Sequence, residues 1–257
     1  MKESIKNKFN LEGKVAIITG ASKGIGKSIA KGFVEFGAKV AISSRNQNSL
    51  EEVAKELGQE NILPIQCHVG KDEDIINLVN SVAKTFGRID ILVNNAATNP
   101  FYGELADTDN ELFDKVINVN LKAPHLLANK CLPFMKKNSY GSIINIASVE
   151  GLKPSENLGI YSISKSALIM LTKSQAKEWG KFGIRSNAIC PGLIKTKFSS
   201  ALWTNENVLS KVKNDLPLRK IAEPDDMAGL ACFLASEASN YCTGSVFVAD
   251  GGHMISA

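Results

Sequence analysis

Cysteine is scarce in this chain: five residues among 257, at positions 67, 131, 190, 232 and 242, odd in number and with no C-x-x-C pair. That spacing speaks against a disulfide framework and against a zinc site, and it fits a reducing, cytoplasmic setting. Long hydrophobic runs are missing too. The longest stretch free of Asp, Glu, Lys and Arg runs from Ile91 to Gly103 and is broken by Asn, Thr and Pro; a spanning helix needs ~18 apolar residues, so no membrane span is expected. The lysine-bearing opening, Met1 to Phe9, leads into no apolar run, and no secretory signal is expected there. The closing Ile-Ser-Ala does not read as a peroxisomal tripeptide. Charge of one sign is not concentrated either. The formal net charge of +4 is spread along the chain, with no basic stripe interleaved with aromatics beyond the first residues, so nucleic acid is not the expected partner.

What is present is an ordinary globular composition, 44% apolar, in a length that an α/β fold can close around one core. Short runs rich in Val and Ile at 14–19, 38–43, 61–67, 90–94, 141–147, 184–189 and 244–249 read as strands. Their apolarity is nearly continuous rather than alternating, which is the mark of strands buried on both faces of a parallel sheet. Between them lie helix-period segments at about 24–36, 47–57, 72–86, 108–137, 159–181 and 225–236, with Asp107 and Glu223-Pro224 as candidate starts. The repeated β-α order predicts a single doubly wound Rossmann-type domain. It would have a seven-stranded parallel sheet, helices on both faces, and ligands at the carboxyl ends of the strands. Residues 192–217 break the rhythm and carry Phe198, Leu202 and Trp203; they read as a lid.

The first strand runs into Thr19-Gly20-Ala21-Ser22-Lys23-Gly24-Ile25-Gly26 and then a helix, so glycines stand where the backbone must turn tightly and approach a phosphate at a helix amino terminus. The spacing is G-x-x-x-G-x-G, which differs from the usual dinucleotide fingerprint. Its place between strand and helix is what distinguishes it from a plain loop. Tyr161 and Lys165 lie four apart in a helical segment and share one face. Such a pair alone could be a solvated surface pair. Ser148, however, follows the strand 141–147 at the edge where a ligand should lie. A free tyrosine has a pKa of about 10 and is a poor acid or base near neutrality unless a cation stabilises its phenolate. Lys165 can be that cation, and Ser148 can hold a substrate oxygen beside the phenol.

From about Leu11 to Met254 the chain resembles the short-chain dehydrogenase/reductase family. The resemblance is carried by Thr19-Gly20-x-x-x-Gly24-x-Gly26, Asn94-Asn95-Ala96-Ala97, Ser148, Tyr161-x-x-x-Lys165, Pro191-Gly192 and Asp250-Gly251-Gly252 in the family's order. It implies a catalytic set of Asn120, Ser148, Tyr161 and Lys165, with Asn120 in a distorted helix that serves a relay to the lysine. It also implies that a dinucleotide is held by Gly20, Ser22, Lys23, Gly24, Ile25, Gly26, Ser44, Arg45, His68, Val69, Asn94, Ala96, Tyr161, Lys165, Pro191, Gly192, Ile194 and Thr196. Two positions depart from the family pattern. Ala97 stands where Gly is frequent, and His68 stands where Asp usually contacts adenine, so His68 reads equally as a buried, satisfied side chain. The family further implies a homotetramer built on helices 108–137 and 159–181 and on the carboxyl-terminal segment.

An acidic residue at the end of the second strand would bond a ribose 2′-hydroxyl. Ser44 stands there instead, followed by Arg45 and faced by Lys23, so NADP(H) is expected over NAD(H). Phe198, Leu202 and Trp203 on the lid, with Val149, Leu152, Asn99 and Phe101 on the opposite rim, point to a small, largely apolar carbonyl or alcohol substrate. Several stretches, among them Ser43-Ser44-Arg45, His68-Val69-Gly70 and the segment from Asn95 to Phe101, are similar to NADP-dependent carbonyl and dicarbonyl reductases that also act on retinoids. A 3-oxoacyl-thioester reductase is the alternative, for which Lys195, Lys197, Lys211 and Lys213 would greet an acyl carrier. A catalytically idle dinucleotide-binding module is the reading from another class.

Overall fold

The computed structural model describes residues 4–199, 203, 210 and 213–256. Seven strands form one parallel sheet: β1 (Val15–Thr19), β2 (Lys39–Ser44), β3 (Ile62–Gln66), β4 (Ile91–Asn94), β5 (Gly141–Ile146), β6 (Ile184–Pro191) and β7 (Val246–Ala249), in the order β3-β2-β1-β4-β5-β6-β7. Each matches a run expected from the sequence, the last starting two residues later than the 244 read there. Around the sheet lie α1 (Gly24–Glu35), α2 (Gln47–Leu57), α3 (Asp72–Phe86), α4 (Asn110–Ile117), α5 (Ala123–Asn138), α6 (Gly159–Trp179) and α7 (Ala228–Ala235).

Alternate residues of each central strand serve opposite layers, because successive side chains of a strand point to opposite faces. Ala16 and Ile18 of β1 pack with Ile29 and Phe33 of α1, Leu50 and Val53 of α2, and Ala231 and Leu234 of α7. Val15 and Ile17 pack with Leu78 and Val82 of α3 and with Leu127 and Cys131 of α5. On that second face, Leu168 and Ile169 of α6 pack against Ala147, Ala188 and Cys190. Helices therefore cover both faces, and the strand order reverses between β1 and β4, where a crevice opens beyond the strand ends.

Two helix boundaries differ from the sequence reading. Asp107 does not start the long helix: it sits in a 3-10 turn (Leu105–Asp107), and the cap is Asp109, whose carboxylate accepts from the Leu112 N–H at 2.8 Å. The periodicity could not separate the two acids because both precede the same apolar stripe. The segment read as one helix over 108–137 is α4 and α5 joined by a π-helical turn (Asn118–Lys122) with Asn120 at its centre. Glu223 does cap the segment that leads into α7, in a reciprocal pair with Asp226. No helix among the described residues is long and apolar enough to cross a membrane.

Candidate active site

At the β1–β4 crevice the backbone approaches itself too closely for side chains. A Cβ on Gly20, which has φ +66°, would meet the Asn95 Nδ2 at 2.9 Å, and one on Gly26 would meet the same atom at 2.5 Å and the Gly20 carbonyl oxygen at 2.7 Å. Asn95 explains the crowding: its amide donates to the carbonyls of Thr19 (2.9 Å) and Gly20 (3.1 Å). Thr19 Oγ1 in turn accepts from the N–H groups of Asn95 and Ala96 at 3.1 and 3.0 Å. Asn94 is buried and donates to Asn145 of β5 at 2.8 Å. The turn thus opens onto the amino terminus of α1, with its unpaired N–H groups, as a cradle sized for a phosphate. Ser22 and Ile25 are partly buried there and Lys23 is exposed. Thr19 and Asn95 were not singled out from sequence; the Thr-Gly and Asn-Asn pairs at two strand ends were the available signal.

Beyond β2, Ser44 Oγ accepts from the Asn46 N–H at 3.4 Å, while Asn46 Oδ1 caps α2 by accepting from the Ser49 N–H at 2.9 Å. Arg45 stands between Ser44 and Asn46. Its side chain is exposed, and no carboxylate among the described residues lies within ion-pair distance of it. Beyond β3, the His68 Nδ1 accepts from the Gly70 N–H at 3.1 Å, and the backbone N–H of His68 donates to the Asp74 carboxylate at 2.8 Å. His68 is only partly buried, not fully, and one ring nitrogen is spent on shaping its own turn. Val69 packs against the α3–α5 layer.

Ser148, Tyr161 and Lys165 converge beyond β5. Ser148 is 9% exposed; its Oγ accepts from the Glu150 N–H at 3.2 Å and stands on the side of the Tyr161 phenol. Lys165 is 2% exposed; its Nζ donates to the Ile146 carbonyl at 2.8 Å and lies 5.6 Å from the centroid of the Tyr161 ring. Burial pushes the phenol up, and the nearby Ser148 hydroxyl opposes that. Burial also lowers the Lys165 ammonium to about 8, because no carboxylate offsets its desolvation. A group poised there can exchange protons near neutral pH.

Asn120 closes the back of the cluster. Its Oδ1 accepts from the Thr98 N–H at 2.8 Å, and its Nδ2 donates to the Thr98 carbonyl (2.9 Å) and to Ser164 Oγ (3.0 Å), which itself donates to the Tyr161 carbonyl at 2.7 Å. The π-turn places Asn120 at that height by adding a residue to the helical repeat.

The far wall follows β6. Pro191 pairs beside Ala249 of β7, and a Cβ on Gly192 would meet the Asp250 Cα at 2.8 Å. Ile194 is buried in the core, and its carbonyl accepts from Ser199 Oγ. Thr196 Cγ2 lies 3.3 Å from where a Cβ on Gly24 would stand, so this wall reaches the glycine turn. The Phe198 ring lies 6.0 Å from that of Tyr161, tilted by 43°, and Trp203 Nε1 donates to the Thr196 carbonyl at 3.0 Å. Of the opposite rim, Val149 is buried and Leu152 exposed. Lys195 pairs with Glu223 at 3.5 Å. Leu202 and Lys211 lie outside the described residues.

A family model described as enoyl-(acyl carrier protein) reductase matches residues 20–254. The chain is 41% identical over 244 residues to dehydrogenase/reductase SDR family member 4 of Homo sapiens, covering 94% of this chain and 88% of that protein. Among solved structures it is similar to a short-chain type dehydrogenase/reductase from Mycobacterium marinum (34% identity, TM-score 0.90, 97% and 99% of the two chains). It is similar also to a gluconate 5-dehydrogenase from Burkholderia cenocepacia in complex with NADP and tartrate (29% identity, TM-score 0.92, 98% and 99%). With the sheet order, the glycine cradle and these likenesses, the chain belongs to the short-chain dehydrogenase/reductase family and is an NAD(P)-dependent oxidoreductase.

Proposed function

We propose that this oxidoreductase uses NADP(H) to interconvert a carbonyl and an alcohol on a small, largely apolar substrate. The observation that carries the reading is the convergence of Ser148, Tyr161 and the buried Lys165 ammonium beyond β5, on the strand-end side of the sheet that also carries the glycine cradle. The cradle fits a dinucleotide because side chains are excluded from Gly20 and Gly26 and the amino terminus of α1 opens onto the space so left. Gly20 to Gly26 would hold the pyrophosphate, Asn94 and Ala96 the adenosine side, with His68 and Val69 flanking it, and Pro191, Gly192, Ile194 and Thr196 the nicotinamide end. The bound nicotinamide supplies or accepts the hydride. Arg45 and Lys23 favour a 2′-phosphate, since no carboxylate stands at Ser44; the NADP-bound relative supports the same preference.

The protein's own part is proton transfer. Ser148 holds the substrate oxygen. Tyr161 Oη gives its proton to that oxygen during reduction and takes it back during oxidation, and Lys165 offsets the charge left on the phenolate. Asn120 holds the π-turn against Ser164 and thereby the relay side of Lys165. Of the stretch 192–217 read as the lid of a single domain, residues 200–202, 204–209 and 211–212 lie outside the described residues; the tilt of Phe198 over Tyr161 supports an apolar pocket. The acyl-thioester alternative is weaker, because Lys195 is engaged by Glu223. The exposed Ile163 and Met170 of α6 and Phe113 of α4 support a homotetramer assembled through these helices, and five free cysteines support a reducing, cytoplasmic setting.

The test is NADPH-dependent reduction of a panel of ketones, aldehydes and dicarbonyls. Tyr161→Phe should lose kcat by about 10²–10⁴-fold while its NADPH affinity stays within a factor of about two. Undiminished turnover in Tyr161→Phe overturns the mechanism.

A further inference from the structure

Glu150 is a carboxylate two residues from Ser148 that the mechanism above does not use. Its Oε2 accepts from the Ser155 N–H at 2.8 Å and from Ser162 Oγ at 3.1 Å, and its Oε1 accepts from Ser155 Oγ at 2.7 Å. No Lys, Arg or His among the described residues forms an ion pair with it. Its backbone N–H is the donor to Ser148 Oγ, and Ser162 is the neighbour of Tyr161 in α6. The next residue, Gly151, lies flat on that helix: a Cβ there would meet the Lys165 carbonyl carbon at 2.7 Å. One side chain therefore ties the turn that orients the Ser148 hydroxyl to the helical turn that carries the phenol.

We infer that Glu150 is a positioning residue, fixing Ser148 against Tyr161 by bridging the turn after β5 to the start of α6. The inference rests on the acid/base reading given above. Because the Glu150 N–H occupies a lone pair of Ser148 Oγ, the serine proton is left to point elsewhere, toward the phenol or a substrate oxygen. The carboxylate also acts through space. Tyr161 is faced by the Ser148 hydroxyl, by Glu150, by the Cys190 thiol of β6, by Lys165 and by the Phe198 ring. Among these Glu150 and, where ionised, Cys190 carry the negative charge that opposes the phenolate, and Glu150 is the larger of the two, so its removal makes Tyr161 easier to deprotonate.

The experiment compares the full-length wild type with Glu150→Ala, Glu150→Gln and Ser162→Ala. It measures kcat and KM for carbonyl reduction at saturating NADPH, KM for NADPH at saturating carbonyl, the pH profile, and amide hydrogen exchange over residues 149–158. In Glu150→Ala we expect kcat to fall about tenfold or more with KM for NADPH unchanged, and exchange over 149–158 to quicken. Glu150→Gln keeps an acceptor oxygen and recovers most of kcat. Reduction needs the protonated phenol, so its alkaline limb should move to lower pH by about half a unit or more. Should Glu150→Ala fail to fold, the limb in Glu150→Gln decides. Faster exchange with an unmoved kcat and an unmoved limb makes Glu150 a loop staple and overturns the proposal. A wild type that reduces no carbonyl overturns the function proposed above and this role with it, and the wild-type rate tells the two failures apart.

Discussion

The Lys165 ammonium donates to the Ile146 carbonyl at 2.8 Å, across the gap between α6 and the end of β5, and no carboxylate among the described residues pairs with it. A cation held this way costs stability. Its folded value of about 8 lies below its ordinary 10.5, so the unfolded chain binds this proton more tightly than the folded one. The cost is therefore full below pH 8 and fades as pH rises from about 8 toward 10.5.

Lys165→Met should raise the stability of the cofactor-free protein at pH 7 by about 2 kcal/mol and abolish turnover. The gain should shrink between pH 8 and 10. Thermal unfolding of both proteins across that range checks the sign; a gain that grows with pH would contradict it.

Arg45→Ala should weaken NADPH binding by about tenfold to a hundredfold and leave NADH binding nearly unchanged. Fluorescence titration of both nucleotides on wild type and variant is the measurement. Equal losses for the two would mean that Arg45 does not read the 2′-phosphate.

Gly26→Ala puts a methyl 2.5 Å from the Asn95 amide and 2.7 Å from the Gly20 carbonyl oxygen. Something must shift, at a cost of about 1–3 kcal/mol. The melting temperature and the NADPH affinity should fall together, whereas Gly180→Ala, where a Cβ has open space, should change neither.

Asn120→Ala leaves the Thr98 N–H and the Thr98 carbonyl without a partner and takes one of the two bonds of Ser164 Oγ. Each orphaned group costs about 1–3 kcal/mol, so the variant should unfold at lower temperature as well as turn over slowly. A variant with unchanged stability would show that the loop around Thr98 is held elsewhere.

The sheet and its helices were legible because burial on both faces writes a nearly continuous apolar strand into the sequence, as at 90–94 and 141–147. Ser148, Tyr161 and Lys165 were legible because one strand end and one helical spacing place all three. Other features depend on elements far apart in the chain. Asn95 matters through Thr19, 76 residues away, and nothing local distinguishes it from Asn94. Glu150 matters because Ser155 and Ser162 fold back onto it, and Ser199 because its hydroxyl reaches the Ile194 carbonyl. Asp107 and Asp109 differ as caps only through which of them keeps extended backbone next to the helix, a choice that spacing does not encode.

The wall from Pro191 to Thr196 leans on β7 and on Asp250, whose two carboxylate oxygens accept from the N–H groups of Gly252 and Met254. Residues 246–254 are synthesised well after everything else in the crevice. A domain folds as a unit, so the glycine turn, Ser148 and Tyr161 gain their far wall only once that stretch has been made. A chain that still lacks that stretch has half a cleft, and capture of the nucleotide waits for it. Nucleotide supply in the cell would then act on the survival of finished molecules, through ligand-linked stabilisation, and not on their birth.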